Sequence, residues 1–139
     1  MRRLSGLLAG LGMIALTSCG GGQRVGEVVV TPSDFGGTVT AVVGNTVRVV
    51  LVGRGITYDW DLSWQPVERL SVPTIVSGTP DYHDLWAPVR QDYLFTALGS
   101  GLVDMTLRHA IWEHDGTSPG GHFVRWDTYH LTLDLRAPS

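Results

Sequence analysis

The chain is 139 residues long, with ten Arg and no Lys against 13 acidic residues, five Trp and a single cysteine. It has no basic run or basic patch, which argues against nucleic-acid binding. One cysteine rules out an internal disulfide and any zinc site built from several thiolates.

At the N-terminus, Met1-Arg2-Arg3 is a short positive head, Leu4 to Leu16 an apolar run, and small residues lead into Cys19. This is the layout of a secretory signal. The run is shorter than the roughly 20 apolar residues that span a bilayer core. With cysteine at the cut, Leu16-Thr17-Ser18-Cys19 resembles the lipobox of bacterial lipoproteins. The resemblance implies that residues 1–18 are a signal peptide. It also implies that Cys19 carries a diacylglyceryl group and that its new amine is acylated, by palmitate for example. Several acyl chains anchor stably where one is marginal. The protein is then secreted and lipid-anchored to a bacterial cell membrane or outer membrane, facing outside the cytoplasm. The alternative is an ordinary signal peptide that contains a cysteine. Residues 19–25 read as the lipidated cysteine and a Gly-rich flexible tether. Residues 26–139 make one domain by length. Loss of the signal leaves eight Arg against 13 acidic residues, a net charge of −5.

The body is dominated by period-2 patterns, and no stretch carries a helical apolar repeat of useful length. In chain order, strands are expected at Thr38–Val43, Thr46–Leu51, Tyr58–Trp64, Leu70–Val76, Tyr93–Ala97, Val103–Arg108 and Tyr129–Arg136. Pro73 confines the fourth to an edge or a bulge. Gly and Pro clusters separate the runs. The fold expected is all-β: an immunoglobulin-like antiparallel β-sandwich of about seven strands. Val47, Val49, Leu51, Trp60, Met105, Leu107, Leu131 and Leu133 should face inward. Three connections stand out: Val52–Thr57, Ser77–Gln91 and Ile111–Asp127. The last two are long and hold Tyr82, Trp86, Trp112, Phe123 and Trp126, whereas disordered loops are poor in aromatics. Such side chains either pack over the ends of the sandwich or contact a partner.

Gly44 to Leu51 (GNTVRVVL), Tyr58-Asp59-Trp60, Phe95-Thr96-Ala97, Val103 to Leu107, Trp112 and the last strand occur in an order that resembles the chagasin-type inhibitors of papain-like cysteine peptidases. The resemblance covers about residues 38 to 136. It implies an immunoglobulin-like sandwich whose loops at one end fill a peptidase cleft without presenting a cleavable bond. The wedge would be Gly53, Arg54, Gly55, Ile56 and Thr57, followed by Tyr58. Trp112 would anchor at the rim, with Trp86 in the middle loop. Gly53-Arg54-Gly55-Ile56-Thr57 departs from the family's Asn-Pro-Thr-Thr-Gly pattern, and Ala110-Ile111 stands where the family has Arg-Pro.

Other chemistries find less support. His109, His114, Asp115, His122 and His130 crowd the last third but show no recognised zinc spacing. Ser100 and Ser118 lie near glycines, yet there is no G-x-S-x-G elbow. The expectation is therefore a non-enzyme with no catalytic residue, cofactor or metal, whose partners are a papain-like peptidase and, through Cys19, a membrane. The alternative is an immunoglobulin-like envelope lipoprotein that binds another protein or a glycan without peptidase inhibition.

Overall fold

The computed structural model describes residues 26–54, 59–84, 86–113 and 121–139, with Arg54 described by its backbone alone. Its strands are β1 (Glu27–Val30), β2 (Thr38–Val42), β3 (Thr46–Arg54), β4 (Trp60–Gln65), β5 (Thr74–Ser77), β6 (Pro88–Thr96), β7 (Gly101–Glu113) and β8 (His122–Arg136). They form two four-stranded sheets, in the orders β1-β3-β6-β5 and β2-β8-β7-β4. The architecture is the expected β-sandwich.

Alternation explains the packing. Val47, Val49 and Leu51 on β3, Val103, Met105 and Leu107 on β7, and Leu131, Leu133 and Leu135 on β8 are buried. They meet Phe95 and Tyr93 of β6 in a core shared by both sheets. Trp60, Leu62 and Trp64 of β4 pack half-buried against it, and Trp64 meets the Phe95 ring edge-on at 5.1 Å. Seven of the eight residues expected inside are fully buried, and Trp60 lies at the core's margin.

The structure departs from the expectation in three respects. Among the described residues there are eight strands instead of seven, because β1 (EVVV) is too short and too uniformly apolar to show alternation. The sheets are mixed: β1 runs parallel to β3 and β2 parallel to β8, so the antiparallel description holds only for the other pairs. The two long connections are also shorter than expected. β6 begins at Pro88, where a missing N–H is tolerated at a strand's first residue. β7 and β8 continue as a hairpin to Glu113 and His122. A bulge near Ile111–Trp112 breaks the period-2 pattern there, which hid the continuation from the sequence.

The polar residues of β6 also differ from a plain solvated face. Asp92 lies on the outer side of a central strand yet is only 3% exposed. Arg90 Nε donates to it at 2.8 Å and Arg48 Nη1 at 2.7 Å, and Arg48 also bonds Glu27 at 3.1 Å. Hydrogen bonding from Arg90, and then from Arg48, holds the carboxyl below its ordinary value despite its burial.

Two outcomes are expected. Leu107→Ala or Leu133→Ala should cost about 2–5 kcal/mol in urea unfolding, because each vacates a filled core site, whereas Leu102→Ala, at 58% exposure, should change little. Asp92 has a lower pKa folded than unfolded, so the unfolded chain binds the extra proton. Stability from this group is therefore present above its ordinary value of 3.8 and falls as pH drops below it. Asp92→Asn should be less stable at neutral pH and should flatten that acid slope.

Candidate functional site

The strand ends place the three connections together. At the end of β3, Arg54 pairs with Pro88, the first residue of β6, which the second connection feeds. Trp60, where the first connection delivers the chain into β4, pairs with His109 toward the end of β7. Glu113 and His122 face each other across the third connection. One contact ties the two sheets at this end, Trp60 Nε1 donating to the Val52 carbonyl at 3.0 Å, and the Ala110 N–H donates to the Asp59 carbonyl at 2.8 Å, which carries the β7–β4 pairing one residue beyond Trp60. Of the expected wedge, Gly53 and the backbone of Arg54 close β3. Gly55, Ile56, Thr57 and Tyr58 lie outside the described residues, as does Cys19.

The floor beneath the first connection is polar. Gln91 and Asp59 are 2% and 3% exposed. A Cβ placed on Gly53 would stand 3.2 Å from Gln91 Oε1 and 3.5 Å from Asp59 Oδ2. Gly53 is thus needed for close approach of backbone to buried polar side chains. The sequence reading missed both. Asp59 had the polar position of an alternating strand, but β4 begins only at Trp60, and Gln91 fell inside an expected loop. The one available signal was Gln91 standing two residues before Tyr93, in phase with the inward face. Beside this floor, His109 stacks on Trp60 at 4.3 Å and 10°. Burial pushes its pKa below the ordinary imidazole value, against the attraction of Asp59 and Asp127. Phe35 and Tyr129 complete this aromatic group, with their rings 5.5 Å apart.

The second and third connections touch. Gly121 has φ +71, and a Cβ on it would stand 2.6 Å from the Trp86 ring and 2.5 Å from the Glu113 carbonyl oxygen. Trp86 is half-buried there. Trp112, expected in a loop, belongs to β7 and is half-buried. It meets Phe123 edge-on at 5.8 Å, and Phe123 lies 5.6 Å from Trp126. The Arg108 guanidinium sits 4.5 Å from the Trp126 ring centre and bonds Asp61 at 2.6 Å. Phe123 and Trp126 remain 43% and 42% exposed. The sequence marked these two only as loop aromatics, since the bulged hairpin that joins them to Trp112 is not readable from spacing.

The histidines of the last third are dispersed. His109 stacks on Trp60, His122 Nε2 lies 3.7 Å from Glu113, and His130 Nδ1 lies 3.5 Å from the Thr106 hydroxyl. Among the described residues no three potential ligands come together to hold a metal ion. His114 and Asp115 lie outside those residues.

No family model and no curated protein matches this sequence. The fold does match solved structures. One is the cysteine protease inhibitor EhICP2 from Entamoeba histolytica, at TM-score 0.57 and 17% identity, covering 83% of this chain and 100% of that one. Another is amebosin in solution, at TM-score 0.55 and 16% identity, covering 81% of this chain and 99% of that one. At such identities the likeness is one of fold, and it extends over nearly the whole length of both neighbours.

Gly121→Ala should be destabilised by more than about 1 kcal/mol, because an L side chain is strained at that φ and collides with Trp86. Amide exchange measured by mass spectrometry should rise over residues 86–92 more than over β3.

Proposed function

We propose that this chain is a lipid-anchored, non-enzymatic inhibitor of a papain-like cysteine peptidase, using the end of the sandwich where the three connections meet. The observation that carries this reading is the convergence of the strand ends around Arg54, Pro88, Trp60, Glu113 and His122. It is supported by a fold shared with a protein that is itself a cysteine protease inhibitor.

Inhibition of this kind needs no chemistry. Residues 53–58 fill the cleft over the reactive cysteine, and Trp112 and Trp86 flank them. Affinity comes from holding those residues in place before binding, which lowers the ordering cost. The Gly53 seat on Gln91 and Asp59, and the close contact of Trp86 with Gly121, fix described residues at the margins of these connections. Trp112, half-buried against Phe123, is the kind of side chain that dominates an interface. Cys19 holds the chain to the membrane outside the cytoplasm. Gly26 bonds Asn45 and Thr46 at the far end from the connections.

A second reading is favoured by the exposed Phe123 and Trp126 beside the Arg108–Asp61 pair. In it the chain is an envelope lipoprotein binding another protein or a glycan, without peptidase inhibition.

Titration of residues 23–139 against several papain-like peptidases should show tight inhibition, weakened at least about tenfold by Trp112→Ala. No inhibition at high micromolar concentration would leave the second reading standing. In the full chain, Cys19→Ala should move the protein out of the membrane fraction. Retention there, with no fatty-acid labelling of the wild type, would refute the anchor.

A further inference from the structure

β8 spans 15 residues, but β2 covers only Thr132 to Arg136 of it. Just N-terminal to that stretch, the Gly36 N–H donates to the His130 carbonyl at 2.6 Å and the Thr132 N–H donates to the Gly37 carbonyl at 3.0 Å. These two bonds end the covered part of the edge. From Phe123 to Tyr129, among the described residues, nothing pairs with β8 on the side away from β7. Exposure agrees: from His122 to His130 every residue except Asp127 is exposed, whichever face it occupies. Peptide groups alternate sides along an antiparallel strand. His130 and Thr132 direct theirs away from β7, so Thr128 and Trp126 do the same. A row of such groups is a template for another strand. Two of the usual guards are missing, since the window holds no Pro and the chain no Lys.

We propose that this edge pairs with the same edge of a second copy, antiparallel, about a two-fold axis through Trp126. An isologous contact must be self-complementary, and this stretch is. Its limits, Phe123 and Tyr129, lie equally far from Trp126, so the two-fold maps the open window onto itself. Arg125 then faces Asp127 of the second copy, and Asp127 faces the Arg125 of that copy. Within one chain these two already bond at 3.0 Å, with side chains 60% and 34% exposed, which leaves both room to exchange partners. Trp126 meets its own copy at a hydrogen-bonded position. The exposed apolar surface of Phe123, Val124, Trp126 and Tyr129 is withdrawn from water. β4, where the first connection delivers the chain, lies at the other edge of the sheet and stays open. The two Gly26 residues lie at opposite ends of the pair. None of this depends on the peptidase reading.

The test uses the full chain carrying Cys19→Ser, so that an introduced thiol stands alone, purified in mild detergent. With Trp126→Cys added, the two Cα atoms of a hydrogen-bonded pair would lie about 5.5 Å apart, within disulfide reach. Mild oxidation should link this variant as a dimer and leave Ser63→Cys, on the β4 edge, unlinked. By sedimentation the Cys19→Ser chain should be a dimer at high micromolar concentration. Asp127→Arg should weaken association about tenfold, and adding Arg125→Asp should restore it. A monomer by sedimentation, or Trp126→Cys linking no better than Ser63→Cys, overturns the proposal, as does an Asp127→Arg chain that associates like its parent.

Discussion

The structure depends on the antiparallel pairing of β3 with β6, from Thr46 opposite Thr96 to Arg54 opposite Pro88. It is the central pair of its sheet, flanked by β1 and β5. With side chains alternating across each strand, this one register sets Val47, Val49 and Leu51 opposite Phe95, Tyr93 and Gln91 on the core face. A shift of β6 by one residue would turn Phe95, Tyr93 and Gln91 outward and bring Asp92 into the core. The same register decides where the strands stop. Arg54 and Pro88 end side by side, so the first and second connections leave from one place.

Polar groups buried near this pair account for much of the specificity of the arrangement. Asp92 is covered by two arginines, one from its own strand and one from β3. Its burial is tolerable only when both strands are in register, because an unpaired buried carboxylate is costly. Gln91 and Asp59 have a comparable effect on the core side. They occupy the space a side chain at Gly53 would need, and so link β3, β4 and β6 at the point where the first connection begins. The end where the connections meet is thus built on strands and on a buried polar floor.

The β7–β8 hairpin adds a different kind of surface. It outreaches β4 on one side and β2 on the other. Its outer residues are therefore half-covered, and large aromatics lie exposed in a row. Trp112, Phe123 and Trp126 hold one another by edge and tilted contacts, with Arg108 completing the group. The domain thus has two distinct surfaces: the end where the strand ends converge, and the aromatic flank and edge of this hairpin.

The sequence by itself determined which side chains are buried along the regular strands. Alternation in TVRVVL, VDMTLR and LTLDL is a local signal, and each side chain's face follows from its parity alone. It also pointed to an all-β sandwich and to Trp112 as a residue near the end of interest. Tertiary structure decided everything that depends on which strand lies beside which. β1 became a strand through its parallel partner β3. Pro88 to Asp92 entered the sheet because Arg48 and Arg90 neutralise Asp92. Asp59 was buried because the Ala110 N–H and Gly53 close over it. The joining of Phe123 and Trp126 to Trp112 required the bulge that breaks the alternation. Pairing is a contact between residues far apart in the chain, and period-2 patterning carries the face of a strand but not the identity of its neighbour.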